Sequence, residues 1–164
     1  MNIFRLFTLK NVVLYSIIYG YNFDYFKGWC NMTRKQAREE AFILIFEKEF
    51  NDDALQDILT LAEEVRDIKA DDYVKNVFFG VFENIHTIDE KISQNAVGWS
   101  INRITKTALA ILRLAIYEIE FYDEIPVSVS INEAVELAKK YATKEDASFI
   151  NGILSTIAKS QENA

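Results

Sequence analysis

From Met32 onward, apolar residues recur every three or four positions, the spacing that puts them on one face of an α-helix. Thr33-Arg34-Lys35-Gln36 has the Thr-x-x-Gln form of a capping box. Ala37, Ala41, Phe42, Ile45 and Phe46 follow as a stripe, so a helix is predicted to about Phe50. Asn51-Asp52-Asp53 should end it and cap a second helix carrying Leu55, Ile58, Leu59, Ala62 and Val65. Asp71 can cap a third with Val74, Val77, Phe78, Val81, Phe82 and Ile85. Thr87-Ile88-Asp89-Glu90 reads as another capping box, opening a short helix with Ile88 and Ile92. The chain should turn around Gly98-Trp99. Thr105 or Lys106 then starts a helix that is apolar nearly all round, from Leu109 to Ile119, which marks it as the buried centre. Pro126 falls in a loop, Ser130-Ile131-Asn132-Glu133 reads as the cap of a sixth helix, and Thr143-Lys144-Glu145-Asp146 as that of a seventh. The pattern predicts an all-α domain over residues 32–164: a bundle of about seven helices around one hydrophobic helix, with no alternating strand pattern.

Composition sharpens this picture. One proline and five glycines leave little material for turns, which suits few, long elements. The single cysteine, Cys30, excludes an internal disulfide and fits a reducing cytoplasm. The net charge of −7 disfavours nonspecific adhesion to nucleic acid or to acidic membrane, so any nucleic-acid contact must come from a local basic patch. Residues 1–31 differ from the rest. They hold nine of the 22 aromatic residues and are net positive. Their apolar run, "NVVLYSII", is too short to span a bilayer and no small-residue cleavage site follows it. An amphipathic membrane-surface segment is one reading; an upstream or disordered N-terminal extension, with Met32 as the natural start, is the other.

Signals for catalysis are poor. The chain has no phosphate-cradling glycine loop and no Gly-x-Ser-x-Gly elbow. Glu83 and His86 have the Glu-x-x-His spacing of a bundle metal site, but such a site needs two of these motifs and the chain has one histidine. Arg34, Lys35 and Arg38 are more informative. Arg34 and Arg38 are four apart on a face away from the Ala37–Ala41–Ile45 stripe. Cations at a helix N-terminus oppose its dipole unless an anion binds there, and a phosphate backbone would meet both the cations and the free N–H groups. A solvated face is the competing reading. Phe149 precedes Ile150, and both cannot point inward, so Phe149 either stacks a base or packs in the core.

Three segments carry a family resemblance. "IPVSVSINEAVELAKKYATKEDASFINGIL" resembles the C-terminal signature of the NusB family of bacterial transcription antitermination factors. "TRKQAREEAFILIF" resembles the family's arginine-rich first helix, and "ILRLAIYEI" its central helix. The resemblance runs in order from residue 32 to about 160. It implies two small helical subdomains and no enzyme activity or cofactor. It also implies binding of boxA RNA, a short single-stranded element of ribosomal RNA operon leaders, jointly with the ribosomal protein NusE within the RNA polymerase antitermination complex. Some members form homodimers.

The resemblance further implies roles for residues. Arg34, Lys35, Arg38, Glu145 and Phe149 map to RNA-binding positions, and Phe46, Ala108 and Arg113 to partner-binding ones. Asn151 and Gly152 map to a structural Asn-Gly pair, with Gly152 expected to let another helix pack closely. This chain departs from the family pattern in three places. Gln36 stands where a basic residue is common, and Ala108 and Leu109 where an acidic and a basic residue are common. Those departures motivate an alternative, a helical adaptor that binds protein only.

Overall fold

In the computed structural model, which describes residues 32–162, seven α-helices follow one another: α1 Arg34–Lys48, α2 Leu55–Arg66, α3 Asp72–Glu83, α4 Ile85–Asn95, α5 Lys106–Phe121, α6 Val127–Tyr141 and α7 Lys144–Glu162. A single turn of 3₁₀ helix, Ile101–Arg103, precedes α5, and the described residues contain no strand. The readings placed on residues 1–31 lie outside the described residues.

Local chemistry explains most of the helix starts. Thr33 accepts from the Gln36 N–H while the Gln36 side chain accepts from the Thr33 N–H, a complete capping box. Asp71 accepts from the Val74 N–H at 2.8 Å, and Thr105 from the Ala108 N–H at 3.2 Å. Thr143 and Asp146 cap α7 reciprocally. Three expected starts are corrected. Helix α2 begins after Ala54 with no side-chain cap; Asn51 instead closes its own turn by accepting from the Asp53 N–H. Helix α4 begins at Ile85, directly after Asn84, so Thr87 is already inside it. Helix α6 begins at Val127 with Pro126 as its N-cap residue, and Ser130 is a buried interior position. Proline fixes φ near the helical value and needs no donor, so it can open the helix without a side-chain bond.

Helix α5 is the centre. Ten of its sixteen residues are buried, and it packs against α1, α3, α4, α6 and α7. Helices α1, α2 and α3 group on one side, with α6 and α7 packed together on another. One continuous core runs through both groups, from Phe42 and Phe78 to Ile150 and Leu154. Gly80 of α3 lies against the Tyr117 side chain of α5, so any Cβ there would displace the Tyr117 ring. That close approach is the use to which a helical glycine is put in this fold.

Three charged knots are built into the helix contacts. Arg38 bonds Glu118 at 2.8 Å, and Tyr73 donates to the same carboxylate. Arg113 makes a two-point bond to Asp89, 2.8 Å at each contact, and pairs with Glu49. Arg66 pairs with Glu40 and with Glu47, the latter at 2.5 Å. Breaking such a pair costs far more than forming it gains, because the remaining charge is left buried.

Glu40 supplies a pH test. Burial raises its carboxyl pKa above the ordinary value, outweighing the opposing pull of Arg66. Between the unfolded and the folded pKa, the native carboxyl therefore keeps a proton that the unfolded chain has already released. This contribution to stability is complete below the unfolded pKa and is lost as pH rises through the folded one. Denaturant titrations across pH 4 to 8 should show the wild type losing stability relative to Glu40→Gln, by at most about 1.4 kcal/mol per pH unit. Parallel curves would show that Glu40 titrates normally.

Candidate nucleic-acid interface

The first turn of α1 presents two exposed cations, Arg34 and Lys35. The Arg34 guanidinium lies 4.4 Å from the centre of the Tyr73 ring, which holds the charge over an aromatic face. Lys35 edges a groove of about 230 Å³ between α1 and α6, together with Lys139 and Lys140 from the last turn of α6. Acids temper this groove. Lys139 pairs with Glu136 at 2.6 Å and Lys140 with Glu39 at 2.5 Å. The hydrogen bond from Lys139 holds the Glu136 carboxyl below its usual range. The Lys139–Glu136 pair is exposed on both sides and exchanges readily, so Lys139 can turn to a phosphate at small cost, whereas Glu39 is half-buried and also accepts from Tyr141.

Arg38 is not part of that exposed set. It is 3% exposed, locked to Glu118, with its Nη1 3.4 Å from Glu133. The expectation of a surface cation at Arg38 is corrected: a buried carboxylate 80 residues away takes the guanidinium inward. Burial, reinforced by Glu118, also raises the Tyr73 phenol well above its ordinary pKa and keeps it a donor. Gln36, which thins the cationic patch, is the residue that completes the α1 cap.

A second exposed region lies at the start of α7. Glu145 is exposed and Phe149 half-buried, one turn apart on the same side of the helix. The Phe149 ring packs against the core with one side and against Trp99 with another, centroids 5.8 Å apart. Phe149 is therefore a core residue on one side and keeps accessible surface on the other. Asn151 and Gly152 are exposed inside α7, and a Cβ on Gly152 would meet nothing within 4 Å. The expectation that Gly152 lets another helix pack closely is corrected: the inward face is Ile150, Ile153, Leu154 and Ile157, and Gly152 points away from it. Glu145, Phe149 and Gly152 recur at helical spacing, so the missing side chain leaves the surface low beside Phe149.

The expected partner residues divide. Phe46 is half-buried in a ring ladder with Phe42 and Phe50, and Phe50 is 61% exposed. Ala108 is fully buried and Arg113 nearly so, its guanidinium spent on Asp89 and Glu49. Neither is a surface position, which corrects the expectation of direct partner contact for both. Glu83 ends α3 while His86 lies in the first turn of α4, exposed, so their spacing does not place them on one continuous helix. Among the described residues no cluster of three or more His, Cys, Asp or Glu side chains could hold a metal. Lys139, Lys140, Trp99 and Arg103 were not singled out by sequence reasoning. The adjacent lysines read as ordinary helix C-terminal cations, and Trp99 as part of a turn.

A model of the NusB family matches residues 35–159 of the chain. The chain belongs to the NusB family. It is 45% identical over 132 residues to the transcription antitermination protein NusB of Natranaerobius thermophilus, a match covering 77% of this chain and 95% of that protein. It is 41% identical over 133 residues to the same-named protein of Clostridium acetobutylicum, covering 80% and 98%. Among solved structures, T. maritima NusB superposes with a TM-score of 0.72 at 39% identity, covering 79% of this chain and 93% of that one. A structure of the antitermination factors NusB and NusE in complex with dsRNA superposes with a TM-score of 0.70 at 28% identity, covering 77% and 96%. The NusB match runs from Lys35, the second residue of α1, to Lys159 near the end of α7; it includes Lys35, Glu145 and Phe149, and Arg34 lies one residue before it.

Proposed function

We propose that this protein is a transcription antitermination factor that binds boxA RNA of ribosomal RNA operons jointly with the ribosomal protein NusE, and so promotes read-through by RNA polymerase. Family membership across the whole described fold carries this reading, supported by the solved relative whose NusB is bound to NusE and RNA. The RNA-facing residues are Arg34, Lys35, Glu145 and Phe149, joined by Lys139 and Lys140. Arg38 supports them from beneath by holding α1 against α5. The role is one of binding and scaffolding, with no covalent step and no cofactor. No described helix is long and apolar enough to cross a membrane, and the reading places the protein in the cytoplasm with the transcription machinery.

Charge explains why a partner is needed. Each phosphate contact on a single strand requires a cation and contributes about 0.7 to the salt slope. A chain of net charge −7, with a few exposed cations already paired to acids, supplies little field alone. A basic ribosomal protein supplies the rest. The test is a titration of boxA and a scrambled RNA with the full chain, with and without NusE. Tight, selective binding is expected only with NusE. Equal affinity with and without NusE would overturn the joint site. No selectivity in either condition would favour the protein-only adaptor, which the inward turn of Arg38 and Arg113 would then explain. Within the same titration, Phe149→Leu keeps apolar cover over the core but loses the flat ring. It should weaken selective binding by about 1 kcal/mol or more while the melt stays native-like.

A further inference from the structure

The loop between α4 and α5 is built to hold two side chains out of the core. Gly98 adopts φ 79°, a left-handed conformation that glycine takes without strain. The Trp99 N–H then donates to the Ala96 carbonyl at 3.0 Å, and the Arg103 N–H to the Ser100 carbonyl at 2.9 Å. Ile104 is buried and Ile101 packs partly against the core, which anchors the loop from beneath. Trp99 and Arg103 are left outside. Thr105 reaches Asp146 at 3.4 Å, tying the end of this loop to the first turn of α7.

Three side chains meet there. The Arg103 guanidinium lies 5.2 Å from the centre of the Trp99 ring, and the Phe149 ring lies 5.8 Å away at a 55° tilt. Trp99 is 49% exposed and Arg103 is exposed. A tryptophan that served only to cover Phe149 would bury most of its indole. Half of this one stays in water, beside Val97 at 90% exposed. The cluster offers a half-exposed flat ring with a permanent cation held over it. A nucleotide of single-stranded RNA offers the matching pair, a base with a π-face and a phosphate.

Resting on the RNA-binding reading above, we infer that Trp99 is a base-stacking residue of the RNA site, with Arg103 holding the adjoining phosphate and Phe149 supporting the indole from the side. The RNA contact then extends from the face of α7 onto the α4–α5 loop.

The test is RNA affinity of the full chain with NusE, for wild type, Trp99→Phe, Trp99→Leu and Arg103→Gln. Trp99→Phe keeps an aromatic face and should bind within about threefold of wild type. Trp99→Leu keeps apolar cover without that face and should bind about five- to 150-fold more weakly, the range expected for one stacked base. Arg103→Gln should lower the salt slope by about 0.7, one phosphate on a single strand. Thermal melts of all four proteins check the fold, and the phenylalanine–leucine contrast reads stacking apart from packing. Equal binding by Trp99→Leu and wild type would overturn the inference while leaving the RNA reading intact, provided Lys35→Gln still weakens binding. A wild type with no RNA selectivity would overturn both.

Discussion

Arg38→Ala is expected to destabilise the fold by about 3–5 kcal/mol, the cost of stranding a buried charge, and to lower Tm by roughly 10–20 °C. The stranded group is Glu118, which is 0% exposed. Its Oε1 accepts from both Arg38 and Tyr73, while its Oε2 has no hydrogen-bond partner among the described residues. Removing the guanidinium leaves the buried carboxylate with one neutral donor. Differential scanning calorimetry reads the effect without RNA or partner. A second variant separates charge from packing. Replacing the set together, as Arg38→Met with Glu118→Leu and Tyr73→Phe, removes every member that needs a partner and should recover most of the lost stability. Any loss of RNA affinity in Arg38→Ala should track the unfolded fraction and leave the salt slope of the folded protein unchanged. A native-like melt with a shallower slope would instead place Arg38 on the phosphate.

Arg113→Ala should cost about 2–4 kcal/mol, somewhat less, because Lys106 still meets Glu49 at 2.8 Å after the arginine is gone. Asp89 loses both of its bonds to α5, and α4 is left with the Lys91–Glu120 pair, at 2.7 Å, as its charged tie to the central helix. Arg113→Lys should recover little of the loss, since an ammonium cannot reproduce two parallel bonds to one carboxylate. Urea titration of the isolated protein is the measurement. A loss of partner affinity with no loss of stability would restore Arg113 to the interface. The expected order is the reverse: the melt shifts first, and partner affinity falls because α4 is held less firmly against α5.

The two arginines show where the residue pattern stops being informative. Thr33, Asp71, Thr105 and Thr143 were legible as helix starts because each bond that makes them so spans three residues. Thr87 and Ser130 carry similar local patterns, yet each lies inside a helix that an earlier residue had already opened. A capping motif states that a helix can begin there, not that it does. The central helix was legible from its all-round apolar character, and the structure buries it accordingly.

The candidate site divides along the same line. Arg34, Lys35, Glu145 and Phe149 were found because a helical spacing and a family resemblance both point to them, and all four retain exposed or half-exposed surface. Gly152 was misread because a glycine in a helix has two explanations, close packing or an open surface, and sequence alone does not separate them. Gly80 holds the close contact in its place. Trp99 and Arg103 went unnoticed because their meeting with Phe149 joins residues some fifty positions apart.

By itself, then, the sequence determined the all-helical class, the order of the helices, the apolar stripe of each and the family. All of these rest on interactions within a few residues or on the period of the chain. Only the tertiary structure decided which polar side chains turn inward. Lys35 and Arg38 share one helix and one charge, yet the first faces water and the second faces Glu118. A stripe read from sequence marks where burial is cheap. Whether a charge enters it depends on a counter-charge supplied by another helix, and that pairing is set by how the helices pack.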